Sequence, residues 1–169
     1  MYYVVLLELL RQRHWDNFNT EIRKELSLSD TEKFSIFNTA CSKPRIERSC
    51  VATLIEAGFF VRLQQEKDTA AYYPICDGRL DILRLLVAHD PTLMEFSDED
   101  GNTLLHYASA KGKLKIADFL MSKFSIERIN AKNNHNKSAL DHACDNNDNE
   151  MRNLIKKYSG NWSRLFFRK

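Results

Sequence analysis

The chain has 169 residues and a formal net charge of +2 at pH 7. That length allows one domain with a substantial core, and the near-neutral balance gives no global drive toward nucleic acid or an anionic membrane. Four cysteines, at positions 41, 50, 76 and 144, have no C-x-x-C spacing, as expected of reduced, packed thiols in a compartment such as the cytosol.

Tyr3, Leu6, Leu7 and Leu10 share one helical face, and Phe18, Ile22 and Leu26 continue it at i, i+4 and i+8. Residues 2–27 are therefore expected to form one broken helix or two. The apolar run Tyr2–Leu10 follows no basic segment and is interrupted by Glu8. It is read as neither a secretory signal nor a membrane span. Ser29 and Glu32 have capping-box spacing and open a helix with Phe34, Phe37 and Cys41 on one face. Pro44 marks its end. Arg45 to Ala57 is the next helix, closed by Leu54, Ile55, Ala57 and Gly58. Phe59 to Asp68 is a connector without helical period. Asp81 to Val87 forms a helix, and the helix before it should be bent or shortened by Pro74. His89-Asp90-Pro91 reads as a turn.

Ser97 to Asn102 is an acidic turn carrying Asp98, Glu99 and Asp100. It suits either a solvated turn closed by the Asp98 side chain or an acidic contact for a basic partner. Thr103, Leu104, Leu105 and His106 then open a helix that ends at Gly112, and Leu114, Ile116, Phe119 and Leu120 form a second. Ser138, Leu140, Ala143, Asn147, Leu154 and Ile155 repeat Thr103, Leu105, Ala108, Gly112, Phe119 and Leu120 after 35 residues. Thr69, Ala71, Pro74, Gly78, Leu85 and Leu86 precede the same set by 34. A further copy runs from Thr31 to Gly58. Such helices are too short to stand alone, since isolated helices below roughly 12–15 residues are marginal in water. They must stack on neighbours with the same apolar stripe. Ser159-Gly160 ends the last copy. Trp162, Leu165 and Phe166, among Arg164, Arg168 and Lys169, follow as a cap or a basic aromatic tail, the cap being favoured.

Asp98, Gly101, Thr103, Leu105, His106, Ala108, Gly112 and Asn130 stand in the order and spacing of the D-x-x-G-x-T-P-L-H-x-A repeat. Leu104 takes the place of its Pro. The chain resembles the ankyrin repeat family. The resemblance implies an all-α solenoid of about three to four helix-turn-helix repeats with non-standard terminal capping helices. The expected division is 1–30 for N-terminal capping helices and 31–63, 64–97, 98–132 and 133–158 for repeats, with 159–169 as a C-terminal cap or tail. It also implies that His106 is structural, bonding near the start of its own helix with Thr103 as partner.

The function implied is protein binding without catalysis, through finger tips and the inward faces of the first helices. Those positions are Glu99, Asp100, Asn102, Ala110 and Lys111 in the clearest repeat, Asn134, His135, Lys137, Asp145 and Asn146 in the next, and Cys76 and Asp77 in the one before. They are expected to vary freely because they do not hold the stack together. No cofactor, nucleic acid or stable membrane insertion is expected. There is no phosphate-binding glycine loop, no G-x-S-x-G and no H-E-x-x-H. His135, His142 and Cys144 match no zinc spacing. A cytoplasmic setting is expected. Two other readings stay open: a secreted pathogen effector acting on host proteins in the host cytosol, and an enzyme or ligand binder with a site in the N-terminal third.

Overall fold

The computed structural model describes residues 8, 15–22, 28–43, 46–59 and 71–160. Among these, every multi-residue element is helical. Helix α1 is Trp15–Ile22, and it lays Phe18 and Ile22 into the core. The rest of the expected N-terminal helix, Pro44, most of the connector after Phe59, and the aromatic tail lie outside the described residues.

Helix α2 is Asp30–Cys41. Ser29 Oγ accepts the Glu32 amide at 3.3 Å, and Glu32 Oε2 accepts the Ser29 amide at 2.9 Å. Two of the amides that a helix start leaves without partners are thus satisfied reciprocally. Helix α3 is Arg48–Glu56. It starts later than the expected Arg45 because Lys43 and Ile46 close a turn first. Helix α4 is only Tyr72–Asp77. Pro74 is its third residue, where the missing N–H would have had no intrahelical acceptor, so the first turn accommodates the proline. Helix α5 is Leu80–His89.

The expected turn at His89-Asp90-Pro91 is followed by a 3-10 helix, Pro91–Glu95. Asp90 Oδ1 accepts the Thr92 amide at 3.0 Å, and Pro91 sits at a first position that needs no donor. Helices α6, Leu104–Ala110, and α7, Leu114–Met121, form the clearest pair. A four-residue helix, α8, Ile126–Ile129, follows. Its start is capped by Ser125 Oγ, which accepts the Arg128 amide at 3.2 Å. Helices α9, Ala139–Asp145, and α10, Asn149–Tyr158, complete the described chain.

The helices form two layers. In one, α4, α6 and α9 lie side by side; in the other, α3 packs on α5 and α7 on α10. Each first helix also packs on its own second helix, α4 on α5, α6 on α7 and α9 on α10. The core between the layers holds Ile75, Leu83, Leu86, Leu104, Leu105, Ile116, Leu120, Ala139, Met151 and Ile155, all essentially inaccessible to solvent. Full burial of a side chain of this size is worth about 1.5–3 kcal/mol. No single pair of helices buries enough of them alone, so the pairs hold one another.

Candidate interaction surface

Two finger loops project from the start of α6 and α9, each closed by one antiparallel bridge, Ser97 with Thr103 and Lys132 with Ser138. In the first, the Asp98 amide donates to the Asn102 carbonyl at 3.0 Å, and Asp98 Oδ1 accepts the Asn102 amide at 2.6 Å. Gly101 has φ +77°, a region costly for side chains but open to glycine. In the second, Asn133 replaces Asp98 and accepts the His135 and Lys137 amides on Oδ1, both at 3.0 Å. Asn136 stands where the first finger has Gly101 and takes φ 59°, as asparagine tolerates. Asn147 likewise takes φ 55° in place of Gly112.

His106 is 2% exposed. Its Nδ1 accepts the Thr103 amide at 3.1 Å and lies 2.9 Å from Thr103 Oγ1. Its Nε2 lies 3.1 Å from the Lys137 carbonyl of the next finger, so Nε2 carries the proton and donates. The imidazole therefore joins two repeats as a neutral ring. Burial lowers its pKa most, while the bond to the Lys137 carbonyl pulls the other way. Ser109 repeats the device one turn on, donating to the Ala139 carbonyl at 2.5 Å. Where the next repeat has Asp141 in place of His106, the carboxylate accepts the Ser138 amide at 2.8 Å and closes its own helix start.

The first helices also carry an aromatic run that the sequence reading missed. Tyr72 meets Tyr73 edge to face with ring centroids 5.4 Å apart, and meets Tyr107 of the next repeat at 5.0 Å. Tyr73 and Tyr107 are 34 residues apart and each follows the position of the motif histidine, which was the available signal. Tyr73 is 36% exposed. The Tyr107 hydroxyl donates to Asp98 Oδ2, so the run ends on the acidic finger. Burial pushes the Asp98 carboxyl up, but bonds from Tyr107 and Asn102 outweigh this and hold it below the usual range. Burial and then Asp98 push the Tyr107 phenol up.

The family model for ankyrin repeats (3 copies) matches residues 90–162. Over those residues the match supports an ankyrin-repeat family. It is also similar to the FYVE zinc finger domain protein UPA1 of Mycosarcoma maydis, with 41% identity over 46 residues. That match is 27% of this chain and 4% of the length of that protein. Ankyrin repeats are generally protein–protein interaction modules and typically non-catalytic.

Placed on the helical stack, the residues singled out from sequence divide in two. Glu99, Asp100, Ala110, Lys111, His135, Asp77 and Asp145 are exposed, and Cys76 is half-buried. Asp145 is joined to Lys137 Nζ at 2.6 Å, and His135 Nε2 lies 3.7 Å from Asp100 Oδ1. Asn102, Asn134 and Asn146 do hold the stack together, against expectation. Asn133 Nδ2 donates to Asn102 Oδ1 at 2.6 Å, Asn134 Nδ2 to the Glu99 carbonyl at 2.9 Å and Asn146 Nδ2 to the Ala110 carbonyl at 2.9 Å. The Asn134 amide also donates to the Asp100 carbonyl at 2.8 Å. An amide side chain can donate and accept at once, so it can bridge backbone groups of adjacent repeats where a carboxylate can only accept. This gives the asparagine-rich fingers a physical reason.

Among the described residues, no three or more His, Cys, Asp or Glu side chains are placed to hold a metal ion. Among the same residues, no helix is long and apolar enough to cross a membrane.

Proposed function

We propose that the chain is a non-catalytic module that binds a partner protein along the face made by α4, α6, α9 and the two fingers. The observation that carries this reading is the aromatic run Tyr73–Tyr72–Tyr107. It crosses from one repeat to the next at the surface and ends at the exposed Glu99 and Asp100. Tyrosine supplies a large contact area at small conformational cost and is enriched in protein interfaces. The second helices, by contrast, spend Phe119 and Tyr158 on contacts of their own: Arg84 and Lys123 lie over the Phe119 ring, and Tyr158 donates to Asp118 at 2.8 Å.

The proposed setting is the cytosol, supported by four cysteines that are all free. Affinity capture with the wild type and with Glu99→Ala/Asp100→Ala/Lys111→Ala tests the reading. All three side chains are exposed, so the variant should keep the wild-type circular dichroism. A partner held by the wild type and lost by the folded variant is the expected result. A partner held equally by both moves the site off this face.

A further inference from the structure

The binding face can be read one step further, to the class of partner it takes. We infer that it accepts a basic segment, an extended stretch bearing arginine or lysine, with a cationic side chain lying on the tyrosine run. This rests on the binding face proposed above.

Two features of that face select a cation. The first is the ring geometry. Tyr72 stands nearly perpendicular to both Tyr73 and Tyr107, with interplanar angles of 77° and 81°. Tyr73 is the exposed ring of the three and is the one a cation can reach from solvent. A guanidinium or ammonium within about 6 Å of such a ring gains roughly 0.5–1 kcal/mol at an exposed site. The protein already uses this pairing elsewhere, with Arg84 5.4 Å from the centre of the Phe119 ring and Arg128 5.7 Å from that of Phe124.

The second is charge. Asp77 lies one turn after Tyr73 and is exposed, and Glu99 and Asp100 are exposed on the finger that Tyr107 reaches through Asp98. Lys111, one turn after Tyr107, is an exposed cation of this face, and Lys113 reaches over Gly78 beside Asp77, its Nζ 3.9 Å from where a Gly78 Cβ would stand. Lys137 is already neutralised by Asp145. His135 near Asp100 carries charge only when protonated. Between Tyr73 and Lys111 the surface is thus aromatic and net acidic, complementary to a basic segment and repulsive to an acidic one. An acidic finger alone says little, because turns are often acidic; the tyrosines beside it give the cation a surface to lie on.

The test is a titration of the whole chain, followed by amide NMR, with three nine-residue Gly/Ser peptides. One carries two arginines, one glutamates in their place and one glutamines. The arginine peptide should shift the amides of Tyr73, Asp77, Asp100 and Tyr107, and its affinity should fall with added salt. Tyr73→Ala should weaken it about two- to fivefold. Asp77→Asn, an exposed change that leaves the fold alone, should also weaken it, while Lys111→Ala should leave it equal or tighter. If the glutamate peptide binds the same face as tightly, the basic partner is wrong and the binding face survives. If the arginine peptide shifts only residues of α7 and α10, both are wrong. If none of the peptides shifts any amide, the basic partner is overturned, and the binding face then rests on the capture experiment.

Discussion

Leu120→Ala is expected to lower the thermal midpoint by about 6–12 °C. Leu120 is fully inaccessible, on the face of α7 that packs against α6 and α10. Truncating a buried leucine removes its transfer free energy and leaves a cavity, together about 2–5 kcal/mol. A cost near 3 kcal/mol converts to about 2–4 °C per kcal/mol in a chain of this length. The neighbour Phe119 is half-buried, so Phe119→Ala should cost less. The comparison matters more than either value, because the repeats have no independent cores. If the pairs hold one another, Leu120→Ala should shift a single unfolding transition. A calorimetric scan in which one part melts early and the rest at the wild-type temperature would show that the pairs fold separately.

His106→Ala should cost about 2–4 kcal/mol, more than its modest size suggests. The substitution removes bonds to Thr103 and to the Lys137 carbonyl, each worth about 0.5–1.5 kcal/mol net. It also leaves the Thr103 amide and hydroxyl in a site only 2% exposed. His106→Gln keeps a side chain that can reach the helix start but not the next finger, so it should recover part of the loss.

The same residue gives the stack a pH dependence of known sign. The folded pKa of His106 is depressed, chiefly by burial. The unfolded chain, near the ordinary histidine value of about 6.5, therefore binds its proton first as pH falls. The stabilisation is complete above that value and is lost progressively below it, down through the folded pKa. Urea unfolding of wild type and His106→Gln across this range should show the wild type losing stability faster. Parallel curves would mean that the imidazole is not held neutral.

Much of this fold was legible because its signals are local. The Ser29–Glu32 box and the Thr103–His106 pair each depend on residues within one turn of one another. The equivalences at 34 and 35 residues placed α5, α6, α7, α9 and α10 because each helix pair carries the same apolar stripe. The 3-10 helix at Pro91–Glu95 and α8 were not legible, since four or five residues cannot show a helical period.

The binding face was read less well, and for a different reason. Asn134 and Asn146 look like ordinary surface loop residues until the preceding repeat is laid beside them; the carbonyls they bind belong to Glu99 and Ala110, 35 and 36 residues earlier. The tyrosines were hidden in the opposite way. In the first helices, apolar and aromatic letters are taken as core, and only the stacked geometry turns Tyr73 outward.

The most direct test of a binding face on α4, α6 and the fingers is site-specific photocrosslinking in cells. A photoreactive phenylalanine replaces Tyr73 in one variant and Lys115 in another, on the exposed surface of α7. The account requires that position 73 crosslinks a partner protein and position 115 does not. Crosslinks from position 115 with none from position 73 would contradict it and place the partner on the second helices.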